Sequence, residues 1–319
     1  MGSNMYITQS EVGDFTRCRY KWYLTYIERI TPKKEPHYFE DGSIFHNALE
    51  NLGNGMEPVE IAATIRKEYE DLAKNSRVAV TQEMLEDYDK RMITIQGMVV
   101  GYIELYGKEY ANEWELVDAE EEFCIEFMPG VWQMGKKDKR IRKKSDGLLY
   151  LVEHKSASQI SSSYINKLPR DQQTLTYAWA DSQEHPEEPV TGVIYDVVKK
   201  PKIRQKKNET RKEFLKRIEL LYTDEPENYF FRETLRYNKK RLEKFEKNLK
   251  VVATHMQRCI EDPKNNVYRS WPTACEDFGG CGFKDICNKG SLKGPHMQSF
   301  YKRENKHMEL DVQNEGDKK

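Results

Sequence analysis

The sequence predicts an α/β fold in which a central mixed β-sheet is flanked by helices and carries further helical additions. Three observations support this: a strand–turn–strand pattern at residues 135–155, a helix and then a buried strand within residues 171–198, and a long helical pattern before both. Strands that alternate with helices usually form one sheet covered by helices. At 319 residues and 38% hydrophobic content, the chain can bury the core of one elaborated domain, which we place at residues 5–290.

The predicted hairpin at residues 135–155 contains most of the candidate chemistry. Residues two apart on a strand point to the same face, so Glu153 and Lys155 should share one face while His154 lies on the other. A turn near Ser145-Asp146-Gly147 brings Asp138 roughly opposite Glu153. Two carboxylates beside a lysine suit a divalent ion such as magnesium, with the lysine placed to orient an attacking water.

The chain before the hairpin is predicted to be mostly helical. A first helix should run from Ser10 to Glu28, after the capping pattern Thr8-x-x-Glu11, with Cys18 on its mostly aromatic face. That face is typical of core packing.

Three further elements should connect the first helix to the hairpin. A second helix should begin near Asp41 and carry His46, and a helical insertion should cover about residues 55–110. The alternating stretch from Trp114 to Phe127 should be a strand that leads into the hairpin, with Cys124 as a small buried hydrophobic residue.

After the hairpin, residues 171–180 should form a helix on which Gln173 and Tyr177, four residues apart, share a face. Residues 189–198 should be a buried strand beside the hairpin, and residues 214–260 should be mostly helical.

Basic residues concentrate near the predicted sheet, although the formal net charge is only -1. They form a ribbon after the strand of residues 189–198 and a second group around Asp138, both suited to nucleic-acid phosphates. A solvated loop is the alternative for the ribbon. The candidate nucleic-acid-binding residues are Lys136, Lys137, Lys199, Lys200, Lys202 and Arg204.

Six cysteines in a chain of this kind favour a metal or cluster site over disulfides. Cys275-x5-Cys281-x5-Cys287 lies in a glycine-bearing loop within a predicted cluster-binding region at residues 255–290, and Cys18 is the natural fourth ligand. An iron-sulfur cluster, zinc and unrelated cysteines are all open, although the paired Cys-x2-Cys motifs common at zinc sites are absent from the sequence. Residues 291–319 should be a polar, disordered tail.

These motifs together resemble the RecB-like branch of the PD-(D/E)xK nuclease superfamily. The resemblance rests on Gly42-x-x-x-His46, Asp138, Glu153-His154-Lys155 and Gln173-x-x-x-Tyr177, in that order. It implies a restriction-endonuclease-like core in which His46, Asp138, Glu153 and the backbone carbonyl at His154 bind Mg²⁺ or Mn²⁺. It also implies that Lys155 positions water, and that Gln173 and Tyr177 position the lysine or the nucleic acid.

The cysteines resemble those of the iron-sulfur nucleases of this superfamily, including the CRISPR adaptation nucleases, in which a 4Fe-4S cluster joins the two ends of the chain. The family spacing is Cys-x2-Cys-x5-Cys, and the first gap here is wider. Zinc is the less favoured metal. The stretch VVKKPKIR also resembles phage-borne members of the group.

The expected function is a metal-dependent DNA exonuclease or end-trimming enzyme in recombination, repair or phage DNA metabolism. An alternative is an iron-sulfur module that binds DNA ends within a recombination or CRISPR adaptation complex and has little or no nuclease activity. A third is an RNA-processing enzyme. A recombination or helicase partner would suit the first two. The sequence shows no membrane-spanning run and no signal-peptide pattern, so we expect a cytoplasmic protein in a bacterial or phage-infected cell.

Overall fold

The structure is a computed structural model of the chain, and it describes residues 4–33, 41–42, 44–49, 67, 82–272, 274–276, 280–289 and 295–304. The chain divides into two compact units. The larger unit comprises His37–Phe123 and Lys136–Leu242, and the smaller comprises Met1–Pro36, Cys124–Gly135 and Glu243–Lys319. The chain therefore passes between the two units four times.

The helices are α1 (Gln9–Arg17), α2 (Arg19–Trp22), α3 (Gln82–Glu113), α4 (Ser162–Ile165), α5 (Gln172–Glu184), α6 (Arg211–Asp224), α7 (Pro226–Tyr229), α8 (Lys239–Glu261), α9 (Pro263–Asn266), α10 (Lys284–Lys289) and α11 (Pro295–Phe300). The strands are β1 (Met5–Thr8), β2 (Ile30–Pro32), β3 (Trp114–Met128), β4 (Val131–Lys143), β5 (Leu149–Ala157), β6 (Gly192–Lys199), β7 (Phe230–Leu235) and β8 (Tyr301–Arg303). Residues 41–42 and 44–49 are also helical, and we call them the His46 helix.

The larger unit contains a mixed sheet, as the sequence predicted. Its strands follow the order β4–β5–β6–β7, and β3 pairs with β4. The β4–β5 and β6–β7 pairs are antiparallel, whereas β5 and β6 are parallel. Strand β7 corrects the prediction that residues 214–260 are mostly helical: FFRETL pairs with β6, with Phe230 opposite Val198. Pairing with β6 overrides the helical pattern on either side.

Helices cover both faces of this sheet. Helix α5 packs on one face, where Ala178 meets Leu151 and Val193. Helices α3 and α6 and the His46 helix share a second cluster, which includes Phe45 and Met98.

Helices α3 and α6 approach each other closely because α3 has glycines at positions 97 and 101. A Cβ at Gly97 would overlap Ile218, and a Cβ at Gly101 would lie 2.5 Å from that of Tyr222. A larger residue at either position would force the two helices apart.

In the smaller unit, β1 runs parallel to the first residues of β4, and β2 pairs antiparallel with β8. Thr8 caps α1, because its Oγ1 accepts from the Glu11 N–H at 3.2 Å. The predicted continuous helix from Ser10 to Glu28 is wrong at Cys18, where the backbone is extended (φ -157°, ψ 109°) between α1 and α2. Cys124 is exposed, which contradicts the expectation that it is buried.

The end of the described chain is also more ordered than predicted. The sequence predicted a disordered tail from residue 291, but residues 295–303 form α11 and β8. Tyr301 is 6% exposed and stacks on Phe283, which explains this order. Residues 55–81 of the predicted helical insertion, apart from the helical Lys67, and the tail after residue 304 lie outside the described residues. Among the described helices, none is long and apolar enough to cross a membrane.

Candidate active site

Strand β5 presents its polar residues to opposite faces of the sheet. Lys155 Nζ donates to Gln173 Oε1 on α5 at 2.8 Å and forms an ion pair with Glu153 Oε1. His154 lies on the α3 face, where its Nε2 is 3.1 Å from the hydroxyl of Tyr102. This is the arrangement that strand alternation predicted.

Strand β4 is irregular where it carries Asp138. The β4–β5 pairing runs from Arg142 opposite Leu149 to Lys139 opposite Val152, one residue short of an Asp138–Glu153 pair. Lys137 and Arg140 both reach α5, although residues three apart on a regular strand face opposite sides. Alternation is therefore interrupted between them, and this places Asp138 within reach of residues on the α3 face.

Polar contacts at both ends hold the His46 helix in place. At its start, Asp41 accepts from Arg91 of α3 at 2.9 Å. At its end, Lys139 Nζ donates to the carbonyl of Leu49 at 2.8 Å. Because Lys139 follows Asp138 directly, the same contact fixes the helix against the strand that carries the carboxylate.

Two histidines lie beside Asp138. Nδ1 of His46 is 3.5 Å from Asp138 Oδ2, and Nδ1 of His154 is 3.9 Å from the same oxygen. Both distances exceed those of ordinary hydrogen bonds, so the contacts are electrostatic. Burial alone would raise the pKa of Asp138, but the two histidines outweigh it and hold this pKa well below its usual value.

Glu153 is fully buried, and burial, opposed chiefly by Lys155, raises its pKa to about 7. Two buried carboxylate oxygens, Oε2 of Glu153 and Oδ2 of Asp138, have no hydrogen-bond donor among the described residues. Buried acceptors without donors are costly, and a cation that they share would satisfy them. These residues and His46 therefore fit a divalent metal ion.

The three predicted ligands would have to adjust when an ion binds. The ligand atoms of His46, Asp138 and Glu153 do not all lie within 4.8 Å of one another. Since Glu153 is paired with Lys155, its carboxylate would have to turn towards Asp138.

Gln173 contacts both Lys155 and Tyr177. The Gln173 amide accepts from Lys155 through Oε1 and donates to the Tyr177 hydroxyl through Nε2 at 3.0 Å. The hydrogen bond to Tyr177, one turn further along α5, therefore orients the Gln173 amide so that its oxygen accepts from the Lys155 ammonium. Burial would lower the pKa of Lys155, but the Glu153 carboxylate outweighs it and raises this pKa, so the ammonium keeps its proton.

Sequence reasoning missed a buried polar network behind His154. Tyr102 of α3 donates to Asp196 of β6 at 2.6 Å, and Arg232 of β7 donates to both oxygens of Asp196 at 2.6 and 2.7 Å. The available signal was Asp196 itself, a lone carboxylate in the apolar strand VIYDVV. A buried charge needs a partner.

A second acidic group surrounds Lys137 and corrects its predicted role. Glu121, Glu184 and His185 lie close enough together to hold a cation. The ammonium of Lys137 is already there, 2.8 Å from both glutamates, and the residue is 1% exposed. Lys137 is therefore internal and does not belong to the predicted nucleic-acid surface.

Some of the remaining basic residues contact other groups of the protein, and others are exposed to solvent. Lys199 donates to the carbonyl of Asn228 and Lys200 contacts Asp41, whereas Lys136 is half exposed and pairs with Glu120. Beyond β6 the backbone has no regular structure, but Ile203 packs against the core between exposed neighbours. The exposed basic residues of this segment, which we call the basic loop, are Lys202, Arg204, Lys206 and Lys207.

The smaller unit brings the four predicted cluster cysteines together. Burial raises the pKa values of the Cys281 and Cys287 thiols, and Cys18 adds to the effect at both. Cys275 adds to it at Cys281, and its carbonyl accepts from the Cys281 N–H at 2.8 Å. No three of these sulfurs lie within 4.8 Å of one another, although all four residues are described.

Comparisons with a family model and with solved structures give matches that cover most of the chain. The family model of the PD-(D/E)XK nuclease superfamily matches residues 6–288. The chain is also similar to a crystal structure from Eubacterium rectale that is called a putative exonuclease, with 14% identity, a TM-score of 0.47, and coverage of 91% of this chain and 90% of that chain. Curated proteins gave no match. The matched range includes every residue of the candidate site and all four cluster cysteines.

Proposed function

Because the chain belongs to the PD-(D/E)XK nuclease superfamily, we propose that it is a divalent-metal-dependent DNA nuclease that trims single-stranded or frayed ends. The observation that carries this proposal is the pair of buried carboxylate oxygens, on Asp138 and Glu153, that have no donor among the residues the structure describes and lie beside His46 and Lys155. A complete set of two acids and a lysine favours an enzyme over a module that only binds DNA ends.

His46, Asp138, Glu153 and the backbone carbonyl at His154 would hold Mg²⁺ or Mn²⁺. The bound ion supplies a Lewis acid that stabilises the negative charge developing on the phosphate. The side chains provide the geometry. Glu153 and Asp138 would hold the ion, and the Lys155 ammonium would donate a hydrogen bond to the attacking water or to a phosphate oxygen.

Replacing Lys155 with alanine is expected to remove the chemistry and keep the metal, because the ammonium is not a ligand. We expect cleavage to fall by about 100-fold or more, the range for a group that transfers or positions a proton. Mn²⁺ affinity by calorimetry should stay near the parental value. The exposed Lys167 provides the control, Lys167→Ala, which should keep both properties. A collapse of Mn²⁺ affinity in Lys155→Ala would make the lysine structural and its proposed role wrong.

Exposed aromatic rings in the smaller unit favour a single-stranded substrate. Tyr268 is 56% exposed and Trp271 is 62% exposed. The guanidinium of Arg269 lies 4.0 Å above Tyr20 and 5.5 Å from Trp271, and Arg19 lies 4.7 Å above Tyr268. Rings held beside cations are suited to stacking with unpaired bases.

Trp271→Ala is therefore expected to weaken single-stranded DNA binding by roughly 5- to 100-fold, as for the loss of one stacked base. Duplex binding should change much less, because paired bases are not available for stacking. Phe300→Ala removes another exposed ring, 58% exposed, and is the control. Fluorescence anisotropy with Glu153→Gln protein would measure both affinities without cleavage. Equal losses on single strands and duplexes would contradict a stacking role.

The basic loop is expected to contact phosphates. Replacing Lys202, Arg204 and Lys206 together with alanine should reduce the slope of log K against log salt by up to about 3 units, because each phosphate contact releases counterions. The control is the triple alanine variant of the exposed Lys239, Lys240 and Lys244 on α8, which changes the net charge equally. An unchanged slope in the basic-loop variant would return this segment to the solvated-loop alternative.

We also propose a 4Fe-4S cluster on Cys18, Cys275, Cys281 and Cys287. A tetrahedral zinc ion with Zn–S bonds of about 2.3 Å would place its sulfurs about 3.8 Å apart. A zinc ion would therefore require the thiols to move closer together, and the resemblance to the iron-sulfur nucleases favours the cluster. The cluster would be structural, because all four cysteines belong to the smaller unit and the metal-site residues belong to the larger one.

Purified protein should be incubated with end-labelled single- and double-stranded DNA and RNA, with and without Mn²⁺. We expect Mn²⁺-dependent shortening of single-stranded or frayed DNA from its ends. Binding to DNA ends without cleavage under any metal would favour the binding module. Preferential cleavage of RNA would favour the RNA-processing alternative.

A further inference from the structure

In the smaller unit, helix α2 and residues 266–271 exchange cations and aromatic rings. The guanidinium of Arg19 on α2 lies 4.7 Å from the ring centre of Tyr268, and that of Arg269 lies 4.0 Å from the ring centre of Tyr20. A backbone hydrogen bond of 3.1 Å from the Tyr20 N–H to the carbonyl of Tyr268 joins the two pairs. Each cation is attracted to the face of its ring, so the four side chains hold the two segments together.

Arg269 also reaches the candidate cluster site. Burial raises the pKa of the Cys287 thiol, and a hydrogen bond from Arg269 and its positive charge oppose this rise. The Nε atom of Arg269 is buried and has no acceptor among the residues that the structure describes. A buried donor without an acceptor is costly, and the sulfur atoms of an iron-sulfur cluster would accept from it. Arg269 therefore fits the role of an outer hydrogen-bond donor to the cluster.

The same guanidinium lies 5.5 Å from the ring centre of the exposed Trp271. A guanidinium is planar and carries its N–H donors at its edge, so it can donate to sulfur while its face lies against aromatic rings. Arg19 provides a contrast within the same arrangement. It stacks on Tyr268, but the cysteine that it contacts is Cys259, which is not a proposed cluster ligand. Arg269 therefore contacts both a proposed ligand and the exposed rings.

We propose that Arg269 is a positioning residue that connects the iron-sulfur cluster to the single-strand surface formed by Tyr268 and Trp271. Its hydrogen bond to Cys287 fixes the guanidinium, and the fixed guanidinium holds the Trp271 ring in place for stacking with a base. This inference rests on the proposed function, since it takes both the cluster and the single-stranded substrate from it. The cluster then supports nucleic-acid binding as well as the fold of the smaller unit.

Arg269→Gln, made in the inactive Glu153→Gln protein, tests the proposal because it removes the guanidinium and its positive charge. Arg19→Gln is the matched control, and Arg258→Gln, an exposed arginine of the same unit, is a second one. Two measurements are needed on anaerobically purified protein. A spectroscopic redox titration would give the reduction potential of the cluster, and fluorescence anisotropy would give the affinities for an oligothymidine strand and for a duplex. Iron content and thermal midpoints would show that the variants are loaded and folded.

We expect Arg269→Gln to shift the reduction potential to a more negative value, because a positive hydrogen-bond donor favours the reduced, more negative cluster. It should also weaken oligothymidine binding by about 10-fold, within the range for one stacked base, and change duplex binding much less. Arg19→Gln should keep the parental potential, and Arg258→Gln should keep both the potential and the affinities. Arg269→Lys, which keeps the charge without the planar guanidinium, should also lose oligothymidine affinity and serves if Arg269→Gln does not retain iron.

A parental potential or a parental oligothymidine affinity in iron-loaded Arg269→Gln would overturn the inference, as would parental affinity in Arg269→Lys. A parent protein without an iron-sulfur cluster would overturn it as well. None of these results affects Mn²⁺-dependent cleavage by the parent protein. The proposed nuclease function fails separately, if the parent protein cleaves no nucleic acid.

Discussion

Glu153→Gln is expected to abolish nuclease activity and leave the protein folded. The change removes a negative charge from the proposed metal site and keeps the shape of the side chain. Because burial already raises the pKa of Glu153 to about 7, a neutral group at this position is close to what the metal-free protein accommodates near neutral pH. Lewis-acid stabilisation is worth several kcal/mol, so losing about 4 kcal/mol of it would slow cleavage roughly 1000-fold.

The rate should be measured on end-labelled DNA with Mn²⁺, together with the thermal midpoint of each variant. Asp146→Asn is the control: Asp146 is exposed, lies in the turn of the same hairpin, and accepts from the Leu148 N–H at 3.0 Å. It should keep its activity, whereas Asp138→Ala should lose it. Parental activity in Glu153→Gln would place the metal elsewhere.

Cys281→Ser is expected to lose iron and to unfold at a markedly lower temperature. Cys18 and Cys281 are about 260 residues apart in sequence, so a cluster that joins them closes a very long loop. Closing a loop of about 100 residues stabilises a protein by about 4.7 kcal/mol, and each doubling of length adds about 0.6 kcal/mol. A loss of this size would lower the thermal midpoint by about 10 °C or more.

Absorbance at about 400 nm, iron analysis and a thermal scan of anaerobically purified protein would measure these effects. The exposed Cys124 provides the control, Cys124→Ser, which should stay brown and stable. Colourless parent protein with one equivalent of zinc would overturn the cluster and preserve the cross-link. A parent protein without metal, or a Cys281→Ser variant as stable as the parent, would contradict both the cluster and the cross-link.

The arrangement of the hairpin could be predicted because it follows from local rules. The period of two along a strand is enough to place Glu153 and Lys155 on one face and His154 on the other. Helical spacing likewise predicts that Gln173 and Tyr177 share a face, and their hydrogen bond agrees with it.

The features that could not be predicted depend on contacts between distant residues. Nothing near Lys137 in the sequence indicates that Glu121 and Glu184 will enclose its ammonium, so its position in a basic run was misleading. The alternation of β4 is interrupted between Lys137 and Arg140 because both side chains pair with carboxylates of α5. Strand β7 was missed because its order depends on β6, more than 30 residues earlier in the chain.

The repeated passage of the chain between the two units constrains the order in which the protein can fold as it is synthesised. All segments of the larger unit have been made once residue 242 is complete, so this unit can fold while the rest of the chain is still being translated. The smaller unit cannot, because its last segment begins at residue 243. At about 5–20 residues per second, Cys18 waits roughly 10–50 s for Cys281 to be made. During that time its thiol is exposed to the cell without its partners, and we expect the smaller unit to become resistant to proteases later than the larger one.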